Sequence, residues 1–261
     1  MRLDIRTDGA PEVLDVREVA GYLRGLLPID AEVAGKVPWP RGGEWIERLA
    51  SIRIRDFARE MESPGRPTPE EVALESQAMG RVQKLQKDLG NVYEGFGLAR
   101  LYLELLKGGL VVTSRMVATW DPEDRRYHGR TIVCHYPLVI VSTTGLVEAP
   151  AKPKEYYIKL FAHGRARGMG LSVPEGLEEE LSREFAGRFL DYDDERLTEV
   201  VKGYILQGAF YLLGLEPFCP DRRCRLYNAH TQEELLGAQL GGGLCERHKA
   251  VLEGMKRGSL R

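Results

Sequence analysis

Four residues near the carboxyl end constrain this chain more than any others. Cys219, Cys224, Cys245 and His248 are spaced C-x4-C-x20-C-x2-H; three of the four cysteines fall in this stretch and one of the five histidines closes it. Thiolate sulfur and imidazole nitrogen are the donors that a tetrahedral Zn²⁺ prefers, and two close pairs joined by a longer loop let one chain surround such an ion. The competing reading, three small thiols and a solvated histidine, needs both the clustering and the pairing to be accidental. One zinc ion per chain is therefore expected. Four protein ligands leave no coordination position for a substrate, so the expected role is structural.

Length and charge bound the rest. The 261 residues carry 37 Lys and Arg against 39 Asp and Glu, a formal charge of −2, with 43% hydrophobic residues. Such a chain builds a sizeable core, read here as one domain over 1–261, with 215–261 as a zinc-stabilised subdomain and 1–65 as an N-terminal sub-region. Near-neutrality gives no electrostatic case for nucleic acid or an acidic membrane. No apolar run reaches the roughly 18 residues of a membrane span, and Met1-Arg2-Leu3-Asp4 does not open a signal peptide. A cytoplasmic protein with reduced thiols fits. Cys134, left over in an apolar stretch, reads as an inert thiol. Few Asn and Gln with many Arg and Glu is a balance common in proteins of hot environments.

The spacing of apolar residues predicts alternating α and β at the start: a strand over Arg2–Arg6, a helix over Glu12–Leu27 and a strand over Ala31–Val37. A turn over Pro38–Gly43 and a helix over Trp45–Met61, with Phe57 on its apolar side, follow. After the breaker Ser63–Pro67, Thr68 reads as an N-cap with Pro69 at the first helical position. Leu110–Thr119 and Arg130–Val141 read as an antiparallel hairpin around the charged loop Asp121–Gly129, and Ser142–Ala149 as a further extended segment. Helices are expected over Lys154–Arg167, Glu178–Leu190 and Asp193–Leu213, and a terminal one over Glu246–Lys256. Asp193 or Asp194 would cap the third of these and Gly214 would end it. The fold class is α/β (α+β), a mixed sheet packed with helices.

A helix that ends at Gly214 and runs directly into Cys219 and Cys224 resembles the archaemetzincins, zinc proteins of the metzincin group. In that family the helix carries HExxHxxGxxH, followed by C-x4-C-x-M and, after a gap, C-x-x-C. Here Gly214 matches the motif's glycine, Leu226 stands at the methionine, and Cys245 and His248 stand at the last pair. The stretch from Val111 to Tyr156 also resembles an archaeal group of metallopeptidase homologues of unknown function. The resemblance implies a metzincin-like fold with a zinc-bound C-terminal segment.

The catalytic positions depart from the motif. Counting back from Gly214, the first two histidines fall on Gln207 and Tyr211, the general-base glutamate on Gly208, and the third histidine on Pro217 or Phe218. A hydrolytic zinc needs three protein ligands, an open fourth position and a carboxylate to take a proton from the bound water. None of these positions supplies that chemistry. Gln207 and Tyr211 share a helix face, as a remnant polar pocket or, more simply, as hydrogen-bonded core.

Other candidates are weaker. His128 lies beside Arg125 and Arg126 in a loop able to hold an anion, although a solvated turn is the simpler reading. Glu148 and the aspartates 191, 193 and 194 could supply carboxylates, the aspartates being better explained as helix-start chemistry. His230 could support the zinc ligands but reads as surface. Gly241-Gly242-Gly243 lacks the Lys-Ser/Thr of a phosphate loop and reads as the reversal that returns Cys245 and His248 to the first pair.

The expectation is a metallopeptidase homologue with a structural Cys3His zinc and an inactive helix, binding a peptide or protein partner. Metzincin clefts hold extended peptides along an edge strand, so binding could outlast hydrolysis. The alternative is an active zinc-dependent hydrolase whose site is rebuilt from His128, His135, His163 or Glu148. A purely structural role in a complex is a third reading.

Overall fold

The computed structural model describes residues 2–40, 42–78, 91–168, 177–241 and 243–257. β1 (Arg2–Asp8) buries Leu3 and Ile5 on one face and turns Arg2, Asp4 and Arg6 to the other, the alternation of a pleated strand. α1 (Val16–Leu26) starts four residues later than its periodicity predicts. The Asp15 carboxylate accepts the N–H groups of Arg17 and Glu18 at 2.9 Å each, while Pro11–Leu14 closes as a turn. β2 (Asp30–Lys36) returns parallel to β1.

α2 (Gly43–Ser51) is shorter than the helix expected over Trp45–Met61. Tertiary pairing ends it, because the chain leaves the helix to join β3 (Val92–Glu94). The Glu94 N–H donates to Ile52 and the Ile54 N–H to Val92, both at 2.8 Å. Phe57, expected to be buried, is instead 45% exposed. α3 (Pro69–Ala78) begins as expected. The Thr68 hydroxyl accepts from the Glu71 N–H at 3.3 Å and the Glu71 carboxylate accepts from the Thr68 N–H at 2.7 Å.

After α4 (Gly95–Leu105), the segments expected to form one hairpin are instead five short strands in two sheets. These are β4 (Gly109–Thr113), β5 (Met116–Asp121), β6 (Arg126–Arg130), β7 (Ile132–His135) and β8 (Leu138–Ser142). β5 and β6 do form an antiparallel hairpin, but β4 lies parallel between β1 and β8. The chain changes sheet at Ser114–Arg115, where the Ser114 N–H bonds to the end of β1 at Asp8 and the Arg115 side chain turns into the core. The larger sheet has the order β2-β1-β4-β8-β7, with β7 the antiparallel strand at its edge, and the smaller has the order β3-β5-β6.

Ser142–Ala149 is not extended. The Ser142 hydroxyl accepts the Gly145 N–H at 2.8 Å and caps α5 (Thr143–Glu148). α6 (Lys154–Gly168) and α7 (Leu177–Glu184) follow, α7 stopping short of Leu190 before Gly187, which takes a φ of +83°. α8 (Leu197–Leu212) starts later than expected and is capped by neither Asp193 nor Asp194. Asp193 sits in the left-handed region at φ 62°, and the Asp194 carboxylate is taken by the backbone and guanidinium of Arg196. α9 (Gln232–Leu240) and α10 (Glu246–Lys256) complete the chain.

Helices cover both faces of the larger sheet. Leu110, Val112, Val139 and Val141 pack with α1, α8 and α9, and Val111, Leu138 and Ile140 pack with α2 and α4. Strands buried on both sides read as the continuous apolar runs seen in β4 and β8. The α/β class expected from the sequence is the one observed. No helix among the described residues is long and apolar enough to cross a membrane.

Candidate metal centre

The four residues singled out by spacing come together where α8 ends. Gly214 adopts φ +72°, the Leu215 N–H reaches back to Phe210 at 2.9 Å and the Gly214 N–H to Tyr211 at 3.0 Å. This paired closure satisfies the last helical carbonyls and reverses the chain toward Cys219. Cys219 to Cys224 then forms a tight knuckle: the Asp221 N–H points at Cys219 Sγ at 3.4 Å and the Cys224 N–H bonds to Asp221 at 3.0 Å. Gly243 returns the chain against this knuckle, its carbonyl accepting the Arg225 N–H at 2.9 Å, as the glycine run predicts. Cys245 then takes the N-cap position of α10 and His248 lies in its first turn.

All four donor atoms lie within 4.8 Å of one another. Cys219 Sγ is 3.8 Å from Cys245 Sγ, and His248 Nδ1 is 3.5 Å from Cys224 Sγ and 3.1 Å from Cys245 Sγ. A tetrahedral zinc with Zn–S near ~2.3 Å and Zn–N near ~2.0 Å sets its sulfurs about 3.8 Å apart and sulfur from nitrogen about 3.5 Å. The donor set and its spacing therefore fit an ion of that kind, bound through Nδ1 of the histidine. Cys219, Cys224 and His248 are buried, and the Phe210 ring meets the imidazole edge-on at 5.8 Å.

The electrostatics of the four differ. Burial, reinforced by the neighbouring Cys219, pushes the Cys224 thiol up to about 12, and a bound cation would favour its thiolate. Burial opposes ionisation at Cys245 too, but the backbone N–H groups at the start of α10 and the neighbouring thiols outweigh it and hold that thiol low. Burial and then the Arg247 charge lower His248, keeping the neutral imidazole that ligates metal.

The helix before the knuckle holds three of the positions that depart from the motif. Gln207 is 1% exposed, and its Nε2 donates to the Tyr227 carbonyl in the metal loop at 3.1 Å. The half-buried Tyr211 offers its hydroxyl to the Tyr136 N–H, just past β7, at 3.3 Å. At Gly208 the helix lies against the sheet so closely that a Cβ would fall 2.7 Å from Leu110 Cδ2 and 3.0 Å from Val139 Cγ1. Gln207 and Tyr211 are thus tied to different partners, one in the metal loop and one beyond β7.

The sequence profile of a probable metallopeptidase family (DUF6775) matches residues 2–255. This chain belongs to that family. No curated protein matches it. Two solved structures are similar to it across nearly their whole length. Archaemetzincin from Methanopyrus kandleri is 15% identical, with 98% of this chain and 96% of that one covered and a TM-score of 0.45. A zinc-dependent peptidase from Methanocorpusculum labreanum is 14% identical, with 95% and 98% covered and a TM-score of 0.42.

In this family member the other candidate residues lie apart. His128 pairs with Asp124 at 2.8 Å rather than with Arg125 or Arg126, and Asp121 completes a trio whose donor atoms lie within 4.8 Å. Asp121 already accepts the N–H groups of Glu123 and Asp124, which hold its carboxyl below the usual range, so the trio closes the β5–β6 turn. The His135 ring lies tilted against Phe96 at 5.8 Å, and Glu148 is hydrogen-bonded to Tyr192. His230 is exposed, and the His163 side chain lies outside the described residues. Burial pushes the half-buried Cys134 thiol up to about 11, which keeps it protonated as expected.

One polar centre had no counterpart in the sequence reading. Arg115 is fully buried at the carboxyl ends of β1 and β4, with Nε 2.9 Å from Asp8 and Nη1 2.6 Å from Glu75 of α3. The Tyr102 and Tyr93 hydroxyls donate to Asp8 and Glu75, each at 2.7 Å, and Trp39 donates to Asp8 at 3.1 Å. Burial raises both phenols, which stay protonated donors. Lone Arg, Asp and Glu residues scattered along a chain give no spacing signal that could have found this cluster.

Proposed function

We propose that this member of the metallopeptidase family is non-hydrolytic, and that it holds an extended peptide or protein segment along β7 on a scaffold fastened by one structural zinc. Gly208 carries this reading. The resemblance puts the general-base glutamate there, yet the space for even a Cβ is taken by Leu110 and Val139. Gln207, at the place of the first histidine, gives its amide to a backbone carbonyl. Residues without imidazole or carboxylate cannot bind a hydrolytic zinc and activate its water in the metzincin manner.

Binding is supported by the position of β7. It is the antiparallel strand at the edge of the larger sheet, and such an edge accepts an added strand through main-chain hydrogen bonds. The zinc, held by Cys219, Cys224, Cys245 and His248, fastens residues 215–261 as a subdomain, in a protein that works in the cytoplasm. Metal analysis together with a peptidase assay on unstructured substrates tests the proposal. About one zinc per chain and no cleavage are expected, whereas a second zinc or turnover would sink it.

A further inference from the structure

A separate cavity of about 520 Å³ lies at the amino ends of β1 and β4, bordered by the end of α4, the β7–β8 turn and Leu212 of α8. That volume is within the roughly 300–1,000 Å³ of small-ligand sites. Its apolar lining comes from Leu3, Leu105, Leu106, Pro137 and Leu212. Its wall at Gly108 and Gly109 is backbone pressed on backbone. Both residues take positive φ (+131° and +110°), and a Cβ would fall 2.5 Å from the Pro137 carbonyl oxygen and 2.6 Å from that of Asp4. A wall built this way is in place before any ligand arrives.

The charges on the rim are unequal. Arg2 is shared by Asp4 and Glu32, each at 2.9 Å. Arg6 also lines the cavity, and its Nη1 donates only to neutral acceptors, the carbonyls of Ala34 at 2.7 Å and Lys36 at 3.3 Å. Lys107 lines it too, and among the described residues neither Arg6 nor Lys107 has a carboxylate partner. Arg6 and Lys107 are thus the two lining cations left without a carboxylate, beside an apolar floor.

We propose that this cavity binds a monocarboxylate carrying a compact apolar body, its carboxylate between Arg6 and Lys107 and its body against Leu3, Leu106 and Leu212. A carboxylate there gives both cations an anionic partner, and burial of the apolar part adds the hydrophobic contribution. A free small acid and the last residue of a peptide share this chemistry. The site does not depend on a peptide lying along β7.

Calorimetric titration of the full zinc-loaded chain with N-acetyl-leucine tests it. Saturable binding is expected, weakened roughly tenfold or more for the uncharged N-acetyl-leucinamide and by a similar factor in the Arg6→Gln/Lys107→Gln double variant. Lys107→Gln alone, at an exposed position, should weaken binding several-fold and keeps the test decisive if the double variant does not fold. Equal binding of acid and amide, full binding by Lys107→Gln or the double variant, or no saturable binding at all would overturn the site. If the acid binds, acetyl-Ala-Ala-Ala-Leu with a free carboxylate separates the sources: tighter binding than N-acetyl-leucine assigns the site to a peptide end, weaker binding to a free acid.

Discussion

The metal loop and the cluster around Arg115 are both polar centres sunk into an apolar interior, yet they are assembled in opposite ways. The loop gathers Cys219, Cys224, Cys245 and His248 from one short stretch of chain and leaves their mutual fit to an ion. The cluster gathers Arg115, Asp8 and Glu75 across 107 and 40 residues and satisfies itself with fixed side-chain partners. A centre built from neighbours in sequence announces itself by spacing. One built from distant residues exists only once the sheet has formed. The first should fail when its ion is withdrawn, the second when a single charge is.

The largest effect is expected from Cys224→Ser. Zinc should drop from about one per chain to almost none, and the melting temperature should fall by on the order of 10 °C, as loss of a structural zinc site implies. A metal-free variant with an unchanged melting curve would remove the loop from this comparison. Next in size, Arg115→Met leaves Asp8 and Glu75 as buried carboxylates without their cation and should cost about 3–5 kcal/mol in urea unfolding. Adding Asp8→Asn and Glu75→Gln should recover much of that loss, and chelator should leave the loss unaltered. If chelator and Arg115→Met fail to add, the two centres are coupled and the contrast is wrong.

Gly208→Ala should follow at about 1–3 kcal/mol, because its methyl group must displace Leu110 or Val139. Full stability in that variant would mean the helix stands away from the sheet and would reopen the catalytic register. The smallest effect belongs to Tyr211→Phe, which removes one hydrogen bond to the Tyr136 N–H and should cost about 1 kcal/mol with zinc content unchanged.

What could be read from the sequence was local. The Thr68–Pro69 helix start and the Gly214 helix end rest on interactions within a few residues and stand as expected, and the two short-spaced donor pairs do come together. The misses were decided at a distance. Trp45–Met61 lost its second half because residues 52–54 pair with β3, far along the chain. Leu110–Thr119 is apolar and β-branched on either side of Thr113-Ser114-Arg115, and it reads as one strand until the pairing of β4 with β1 and of β5 with β3 assigns its halves to different sheets. The Asp193 and Asp194 reading failed for another reason, since Arg196 competes for the carboxylate that would have capped α8. At Gly208 the resemblance showed only a glycine where the motif has glutamate, and the packing adds that the position is a close contact with the sheet.

The change of sheet at Ser114–Arg115 also bears on where a chain of this kind can grow or shrink in evolution. Only two residues separate β4 from β5. Side chains alternate along both strands, so one inserted residue would exchange inside for outside in whichever strand absorbed it. It would also drag Arg115 away from Asp8 and Glu75. Descendants that vary in length should therefore keep this junction invariant in span and place their insertions at tips such as Pro122–Arg125, where no core register is at stake.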